Sequence, residues 1–563
     1  MLKISLAFCF LISIHLSAQE FNQAIQFGDL DNPETLLDCV SKSDDGIITT
    51  GIFSNPMDID PGPSELLITP FVQSSTFIQS LNSGGGLDWA VVLDVQNAAL
   101  DVDSNDDLLL TGSFSGTVDF DPGENESLLT TENPNALFIL KLSSSGEFLW
   151  VKMIDNVNGS REDIKLSNEN KIMISASFAG SIDVDPGEEE LILTTQQLSG
   201  TFIVQLDDVG NLEWAQQIES PQLWYGSYKN QYHAYDNSGN LYFGTTFFQY
   251  IDLTTDIVAD SIPANNLSYE NIIIKYAPNG EILWTKIFGS NTEYEYVRSI
   301  DVDSEGSVYC VGRFNLYIDF DEGSFGDAEL TAGFASPTDG YIVKYNADGS
   351  YAWSAVADGQ YYADIYSVRV LQDDKVVCLG PYSGSLDVDL TAEVNTSTAI
   401  SPSGFFMFTL NPDSTQVNYR LYQGFQTMTG GWPLHLIVPF ETGDGYSIAS
   451  ETYSDIIQFE NAALDTLVQN PVEGTKITLL QYGTPVVTGC TADTACNYNP
   501  SAILDDGSCL EFSPTDLDGD CYTGVSDILI LLSYFGCQSE CEEADLNNDG
   551  IVNVQDIIIW IGG

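Results

Sequence analysis

The feature that most constrains this chain is a short acidic string that keeps returning. Residues 57–62 read MDIDPG, 118–123 read VDFDPG and 182–187 read IDVDPG. Looser copies follow as IDLTTD (251–256), IDFDEG (318–323), LDVDLT (386–391) and IQFENA (457–462). The leading positions are Asp58, Asp119, Asp183, Asp252, Asp319, Asp387 and Gln458, spaced 61, 64, 69, 67, 68 and 71 residues apart. A second landmark keeps the same beat. GGLDW, GEFLW, GNLEW, GEILW and GSYAW end at Trp89, Trp150, Trp214, Trp284 and Trp353, each Trp four residues after a Gly. Tyr419 takes that place in the sixth copy. Such a period marks an architecture made by repeating one supersecondary unit.

Strands are legible inside a copy. SIDVD (299–303), SVYCVGRF (307–314), GYIVKYN (340–346) and YAWSAV (351–356) are alternating, β-branched or aromatic, and SEG and NADG separate them as turns. Four short strands per copy imply an antiparallel, all-β fold. One four-stranded sheet cannot bury both faces, but copies arranged around an axis can. The seventh copy supplies HLIVPFE, GYSIAS and KITLLQYG without a Trp-type strand, and the orphan FNQAIQFG (21–28) resembles WTKIFG (284–289). The expectation is a seven-bladed β-propeller of four-stranded antiparallel blades over 19–484. Its first strand would complete the last blade and remove exposed edges. The turn–strand–Trp pattern resembles the bacterial SBBP-type β-propeller repeat of large secreted proteins over residues 20–484. That resemblance implies an architecture and no particular chemistry.

In VDFDPG, Val118 and Phe120 alternate with Asp119 and Asp121, as on a strand with one wet face, and Pro122-Gly123 ends it as a turn. The competing reading is a weak surface calcium site in the first three copies. A calcium ion wants six to eight oxygens, and this string offers two carboxylates. Strand and turn is the favoured reading.

The net charge is −65, from 82 acidic and 17 basic residues. Phosphate backbones need clustered Lys and Arg, so nucleic acid is excluded as a partner, and anionic membrane surfaces with it. An acidic chain instead attracts cations. MLKISLAFCFLISIHLSAQE opens with Lys3, then an apolar run from Leu6 to Ile14, then Leu16-Ser17-Ala18 as a cleavage site. Residues 1–18 therefore read as a signal peptide. No later segment has the ~20 apolar residues of a membrane helix, so no membrane insertion is expected. The expected location is secreted or at the cell surface. Cys39, Cys310 and Cys378 lie in apolar runs and read as buried thiols, whereas Cys490, Cys496, Cys509, Cys521, Cys537 and Cys541 crowd into 490–541 and read as disulfides of open pairing.

After 484 the composition changes. GCTADTACNYNPSAILDDGSC (489–509) lies in a small Cys-rich linker, 485–512, poor in apolar residues. It resembles a Cys-rich element near the C-termini of secreted proteins of marine Gram-negative bacteria, which implies a spacer; Asp505 and Asp506 are candidate cation ligands. Two matching strings follow, DLDGDCYTGVSD (516–527) and DLNNDGIVNVQD (545–556), starting 29 residues apart. A calcium loop places oxygens at positions 1, 3, 5 and 12, a backbone carbonyl at 7 and a turn at 6. The second loop supplies Asp545, Asn547, Asp549, Asp556 and the Ile551 carbonyl, with Gly550 at the turn and Asn553 at position 9. The first supplies Asp516, Asp518, Asp520, Asp527 and the Tyr522 carbonyl, but Cys521 replaces the turn glycine and Gly524 gives position 9 no side chain. Each loop leads into an apolar helical run, Ile528, Leu529, Leu531, Leu532 and Phe535 after the first, and Ile557, Ile558, Trp560 and Ile561 after the second.

Duplicated loops that end in Asp resemble a type I dockerin domain over 513–563. The resemblance implies a small α-helical module, two Ca²⁺ ions and a cohesin-like or other surface protein as partner. Partner choice in that family relies on loop positions 10 and 11, frequently small hydroxyl residues. Here they are Val525, Ser526, Val554 and Gln555, and only Ser526 fits.

No enzyme signature emerges. His233 and His435 lie in different copies and read as structural or surface residues, GSFSG (112–116) lacks a nucleophile, and there is no phosphate loop. Two well-placed carboxylates suffice for a glycosidase, but the sequence does not single out a pair. Trp224, Tyr225, Tyr361 and Tyr362 are candidates for stacking on sugars. The expected function is a non-catalytic binding or adhesion platform with a calcium-dependent C-terminal docking module and a glycan ligand on the propeller. The alternatives are a polysaccharide-degrading component, such as a glycoside hydrolase or its accessory subunit, and a structural surface protein.

Overall fold

A computed structural model describes residues 21–27 and 35–423, the latter without 63, 72–73, 159–161, 225–231, 254–261, 265–268, 291–294, 322–327, 333–337 and 388–395. It also describes the strands of 435–482, then 488–489, 495, 504–505, 515, 517, 524–537 and 544–562. The signal-peptide segment and most of 485–512 lie outside the described residues. The chain divides into two units, Met1–Thr484 and Pro485–Gly563.

The first unit is an all-β propeller of about six blades, counted over those whose side chains are described. Blade 1 joins Thr35–Ser41, Ile47–Phe53, Ser75–Leu81 and Leu87–Leu93 in sequence order, each pair antiparallel. The same order recurs in every following blade. Blade 5, for example, is Tyr296–Val302, Val308–Asn315, Thr338–Tyr345 and Tyr351–Ala357. One more four-stranded sheet joins His435–Pro439, Tyr446–Thr452 and Lys476–Tyr482 with the N-terminal Phe21–Phe27. There Phe27 pairs with Ile477 and Ala24 with Leu480. The orphan strand thus occupies the outer-strand place that its likeness to WTKIFG predicts.

The middle strands are buried on both faces. Ser75–Leu81, Ile172–Phe178 and Gly200–Leu206 are buried at every position. The first and fourth strands are less apolar because they form the edges of each sheet. Cys39, Cys310 and Cys378 are buried free thiols, as expected. Burial pushes the Cys310 thiol up to about 12. Among the described residues no helix is long and apolar enough to cross a membrane.

The Gly and Trp landmarks form joints between blades. Trp89 donates its indole N–H to the Ser144 carbonyl at 2.8 Å, Trp214 to Pro278 at 3.0 Å, Trp284 to Ala347 at 3.1 Å and Trp353 to Pro412 at 2.9 Å. Each acceptor lies in the last turn of the next blade, two residues before a left-handed position. That position is Gly146, Gly280 and Gly349 in three cases, with φ near +80°, and Ser414 at φ 71° in the fourth. A Cβ on Gly280 would lie 2.8 Å from the Trp214 ring, and one on Gly146 would lie 2.9 Å from Trp89. The glycine therefore meets two demands, a positive φ and a flat seat for an indole.

Two alanine substitutions separate these demands. Gly239 also has φ +75°, but a Cβ there would meet only Pro278, at 3.6 Å. Gly239→Ala is expected to cost about 1 kcal/mol from backbone strain alone. Gly280→Ala adds overpacking against Trp214 and is expected to cost about 2–4 kcal/mol. Urea midpoints of the two variants test this; equal losses would mean that the indole seat contributes nothing.

Candidate calcium loops and the repeated hairpin

The second unit contains helix α1, Val525–Ser533, and helix α2, Val554–Gly562. Each follows one candidate loop, and each loop's final aspartate enters the first helical turn. Asp527 and Asp556 are fully buried. Asp556 accepts the N–H of Asn547 at 3.2 Å and of Asn553 at 2.7 Å. Asp527 accepts from Leu517 at 2.7 Å and from Gly524 at 2.6 Å. In both loops, then, the position-12 carboxylate holds the position-9 N–H and reaches back to the loop's start.

The rest of the second loop is built on side-chain-to-backbone bonds. Asp545 accepts N–H from Asp549 at 3.1 Å and from Gly550 at 2.7 Å. Asn547 accepts from Asp549 at 2.9 Å, and Asp549 from Ile551 at 3.0 Å. Gly550 supplies the sharp turn at φ +86°. The Ile551 carbonyl accepts the Asn553 side-chain amide at 3.0 Å, so positions 7 and 9 meet. The Trp560 indole donates to the Thr515 carbonyl at 3.0 Å, tying the end of α2 to the start of the first loop. Leu531, Ala544 and Val552 form a small core, and Cys537 is disulfide-bonded.

The residue types fit a hard cation, since carboxylate, amide and carbonyl oxygens are what calcium takes. Among the described residues, however, no group of three or more His, Cys, Asp or Glu is gathered so as to hold a metal. Asp545, Asp549 and Asp556 each turn their carboxylates to backbone N–H groups. Of the first loop's ligands only Asp527 is described; Asp516, Asp518, Asp520 and Tyr522 lie outside the described residues, as does Asp506.

The repeated acidic string resolves into a capped hairpin. Asp58 Oδ1 accepts the N–H of Asp60 at 3.2 Å and of Leu66 at 2.9 Å, closing Met57–Asp58 onto Leu67–Ile68. Asp119 repeats this with Asp121 and Ser127, and Asp183 with Asp185 and Leu191. The second aspartate holds the turn glycine, Asp60 to Gly62 at 2.7 Å, Asp121 to Gly123 at 2.8 Å and Asp185 to Gly187 at 2.7 Å. In later copies the same hairpin docks on the preceding blade. Asp252 exchanges both backbone bonds with Glu219, Asp319 pairs with Gly289, and Asp321 forms an ion pair with Lys286. These carboxylates act as turn caps and blade staples. Asp119→Asn is therefore expected to lower thermal stability slightly and leave the number of calcium ions bound, counted by native mass spectrometry, unchanged; loss of an ion would restore the calcium reading.

His233 is buried, with Nδ1 2.7 Å from Asp163 Oδ2 and its ring against Phe243 at 4.8 Å. It bridges blades 3 and 4, a structural role as expected. Tyr361 is exposed and Tyr362 half-buried, whereas Tyr225 and the side chains of Trp224 and His435 lie outside the described residues.

A polar cluster escapes the sequence reading. Arg298, on the inner strand of blade 5, is buried and pairs with Asp364 of blade 6 at 3.0 Å. Burial opposes its charge, but Asp364 together with Tyr366, Tyr232 and Tyr362 outweighs that and holds its pKa above the ordinary value. Tyr362 donates its hydroxyl to Asp364 at 3.0 Å and lies 3.5 Å from the Tyr366 hydroxyl. Arg298 lies over the Tyr366 and Tyr296 rings at 5.0 and 5.8 Å, and Arg313 over Tyr296 at 4.9 Å. The available signal was the density of YYADIY (361–366) and the rarity of arginine, but these positions are not equivalent within the repeat.

No protein-family model matches the chain. Among curated proteins, the uncharacterized WD repeat-containing protein L264 of Acanthamoeba polyphaga mimivirus is 20% identical over 272 residues, 43% of this chain and 19% of that protein. The chain thus spans about a fifth of that relative, whose repeats accord with the blades above. Among solved structures, a PL25 ulvan lyase of the polysaccharide lyases is 10% identical and covers 82% of this chain and 95% of its own, at a TM-score of 0.36. A protein of unknown function from Bacteroides caccae is 8% identical and covers 59% and 93%, at 0.26. At such TM-scores neither likeness carries an argument about activity.

Proposed function

We propose that this is an exported, non-catalytic binding platform: a seven-bladed propeller closed by its N-terminal strand, and a dockerin-like module that binds two calcium ions and docks the protein to a surface partner. The pairing of Phe21–Phe27 with Lys476–Tyr482 supports the closed ring. The observation that carries the module is the repeated burial of Asp527 and Asp556 in the same bonding pattern. A buried carboxylate without a cationic side chain is costly unless hydrogen bonds or a metal compensate it. The module's residues include no Lys or Arg at all between 485 and 563.

When bound, calcium would supply the positive charge that the loops lack. In the second loop Asp545, Asn547, Asp549, Ile551 and Asp556 would hold it, with Asn553 at position 9; in the first, Asp516, Asp518, Asp520, Tyr522 and Asp527. In the second loop and at Asp527 the chain's own backbone N–H groups orient the oxygens beforehand, which lowers the ordering cost of binding. The glycan expected on the propeller makes it the ligand-binding half of this platform.

Isothermal titration of the exported chain with calcium tests the reading. Two ions per chain are expected, falling to one in Asp545→Ala. At a hundredfold excess over Kd each ion should stabilise the module by about 2.7 kcal/mol. Absence of calcium binding by the unaltered chain would sink the docking module while leaving the propeller assignment untouched.

A further inference from the structure

We infer that the Arg298–Arg313–tyrosine cluster of blades 5 and 6 is a subsite for an acidic saccharide, a pyranose bearing a carboxylate or sulfate. The inference rests on the reading of the propeller as a binding platform and names its ligand class.

Charge is the first argument. In a chain of net charge −65, two guanidiniums share the Tyr296 ring, at 4.9 and 5.8 Å. Asp364 neutralises Arg298. Among the described residues no carboxylate lies within ion-pair distance of Arg313, which is half-buried. The adjacent carboxylate, Glu295, is turned to the Ser290 hydroxyl. The patch therefore keeps one guanidinium without an ion-pair partner, a state it shares only with Lys152 and Arg369 among the Lys and Arg residues whose side chains are described.

Unused hydrogen-bonding capacity is the second argument. Arg298 Nε, Arg313 Nε and Asp364 Oδ1 are buried without a hydrogen-bond partner among the described residues. Arg298 is 5% exposed and Asp364 is fully buried. Buried polar groups are ordinarily paired, so three orphans in one cluster point to a polar ligand.

Shape is the third. Tyr362 bonds Asp364 and lies against Tyr366, in the same cluster as the Arg298 guanidinium that pairs with Asp364. It is half-buried, and its neighbour Tyr361 is 64% exposed. Fixed tyrosine hydroxyls, a guanidinium fork and an accessible ring give a sugar its three kinds of contact: hydroxyl bonding, anion pairing and stacking. A non-specific polyanion is repelled by the overall charge, so this site selects a short acidic segment presented directly to Arg313.

The test uses the exported chain and three tetrasaccharides: galacturonic acid tetramer, a sulfated galactan tetramer and neutral cellotetraose. Titration calorimetry at physiological salt should show binding of an acidic tetramer and none of the neutral one. Preference between the two acidic tetramers distinguishes carboxylate from sulfate. Arg313→Gln should weaken binding about tenfold or more, the worth of a charge-assisted bond. Arg313→Lys keeps the charge, is expected to fold unchanged by thermal melt, and should fall in between because it lacks the fork. Equal affinity for cellotetraose, or full affinity in both variants, overturns the subsite while leaving a binding propeller. Failure of all three sugars overturns the saccharide ligand, and the calcium titration then judges the docking module separately.

Discussion

Four blade junctions of the propeller depend on an indole lying on a glycine. A four-stranded blade buries only the faces that its neighbours cover, so the energy that holds the ring is energy between blades. The Trp of one blade's outer strand reaches over the next blade's last turn, packs where that turn has no Cβ, and donates to a carbonyl two residues earlier. Blades 2 to 5 are thus each both contributor and seat. Because the contact is always to the next copy, changing the loop lengths inside a copy does not disturb it. That tolerance accounts for spacings that range from 61 to 71 residues.

Two further belts reinforce this joint at other levels of the ring. The tight turns after the inner strands bond to one another around the axis. Ser43 donates backbone and hydroxyl protons to Asp106, Ser104 exchanges bonds with Asn170, and Ser304 repeats the Ser43 pattern with Asp374. Along the inner strands, Asp38 accepts the Leu100 N–H at 3.0 Å, Asp101 the Leu166 N–H at 2.8 Å and Asp301 the Val370 N–H at 2.8 Å. The acceptor in the turn belt, Asp106 or Asp374, sits at a left-handed φ near +60°, which Asp and Asn tolerate better than other side chains. Turn chemistry and ring assembly therefore select the same residue.

Strand positions, the period and the capped hairpin were legible because each rests on local pattern: alternation, turn residues and recurrence. The N-terminal strand was legible only by its likeness to a later one, since pairing across more than 450 residues leaves no local trace. The Gly and Trp of GEFLW look like one motif but belong to two different joints, because Gly146 seats Trp89 and Trp150 reaches the following blade. No periodicity reports that. The arginine–tyrosine cluster was hidden for the opposite reason. Arg298, Arg313 and Tyr362 hold no equivalent places in the repeat, so a search for recurrence passes over what is unique. For the loops of the second unit, residue type and order were readable, while the bonding of Asp527 and Asp556 to backbone N–H groups required coordinates.

The chain's acidity has a structural origin that bears on function. Asp38, Asp58, Asp101, Asp119, Asp183, Asp236 and Asp303 each accept backbone N–H groups at turns, hairpins or blade junctions. Repeating one blade repeats these acceptors, so negative charge accumulates without any one carboxylate serving a ligand. A fold assembled this way starts with a surface that repels anions. The few places where it sets arginine without matching carboxylate, or buries a carboxylate without any lysine or arginine nearby, stand apart from that background. Arg313 is of the first kind and Asp556 of the second, and in each the imbalance is local charge that the ring's own architecture does not require.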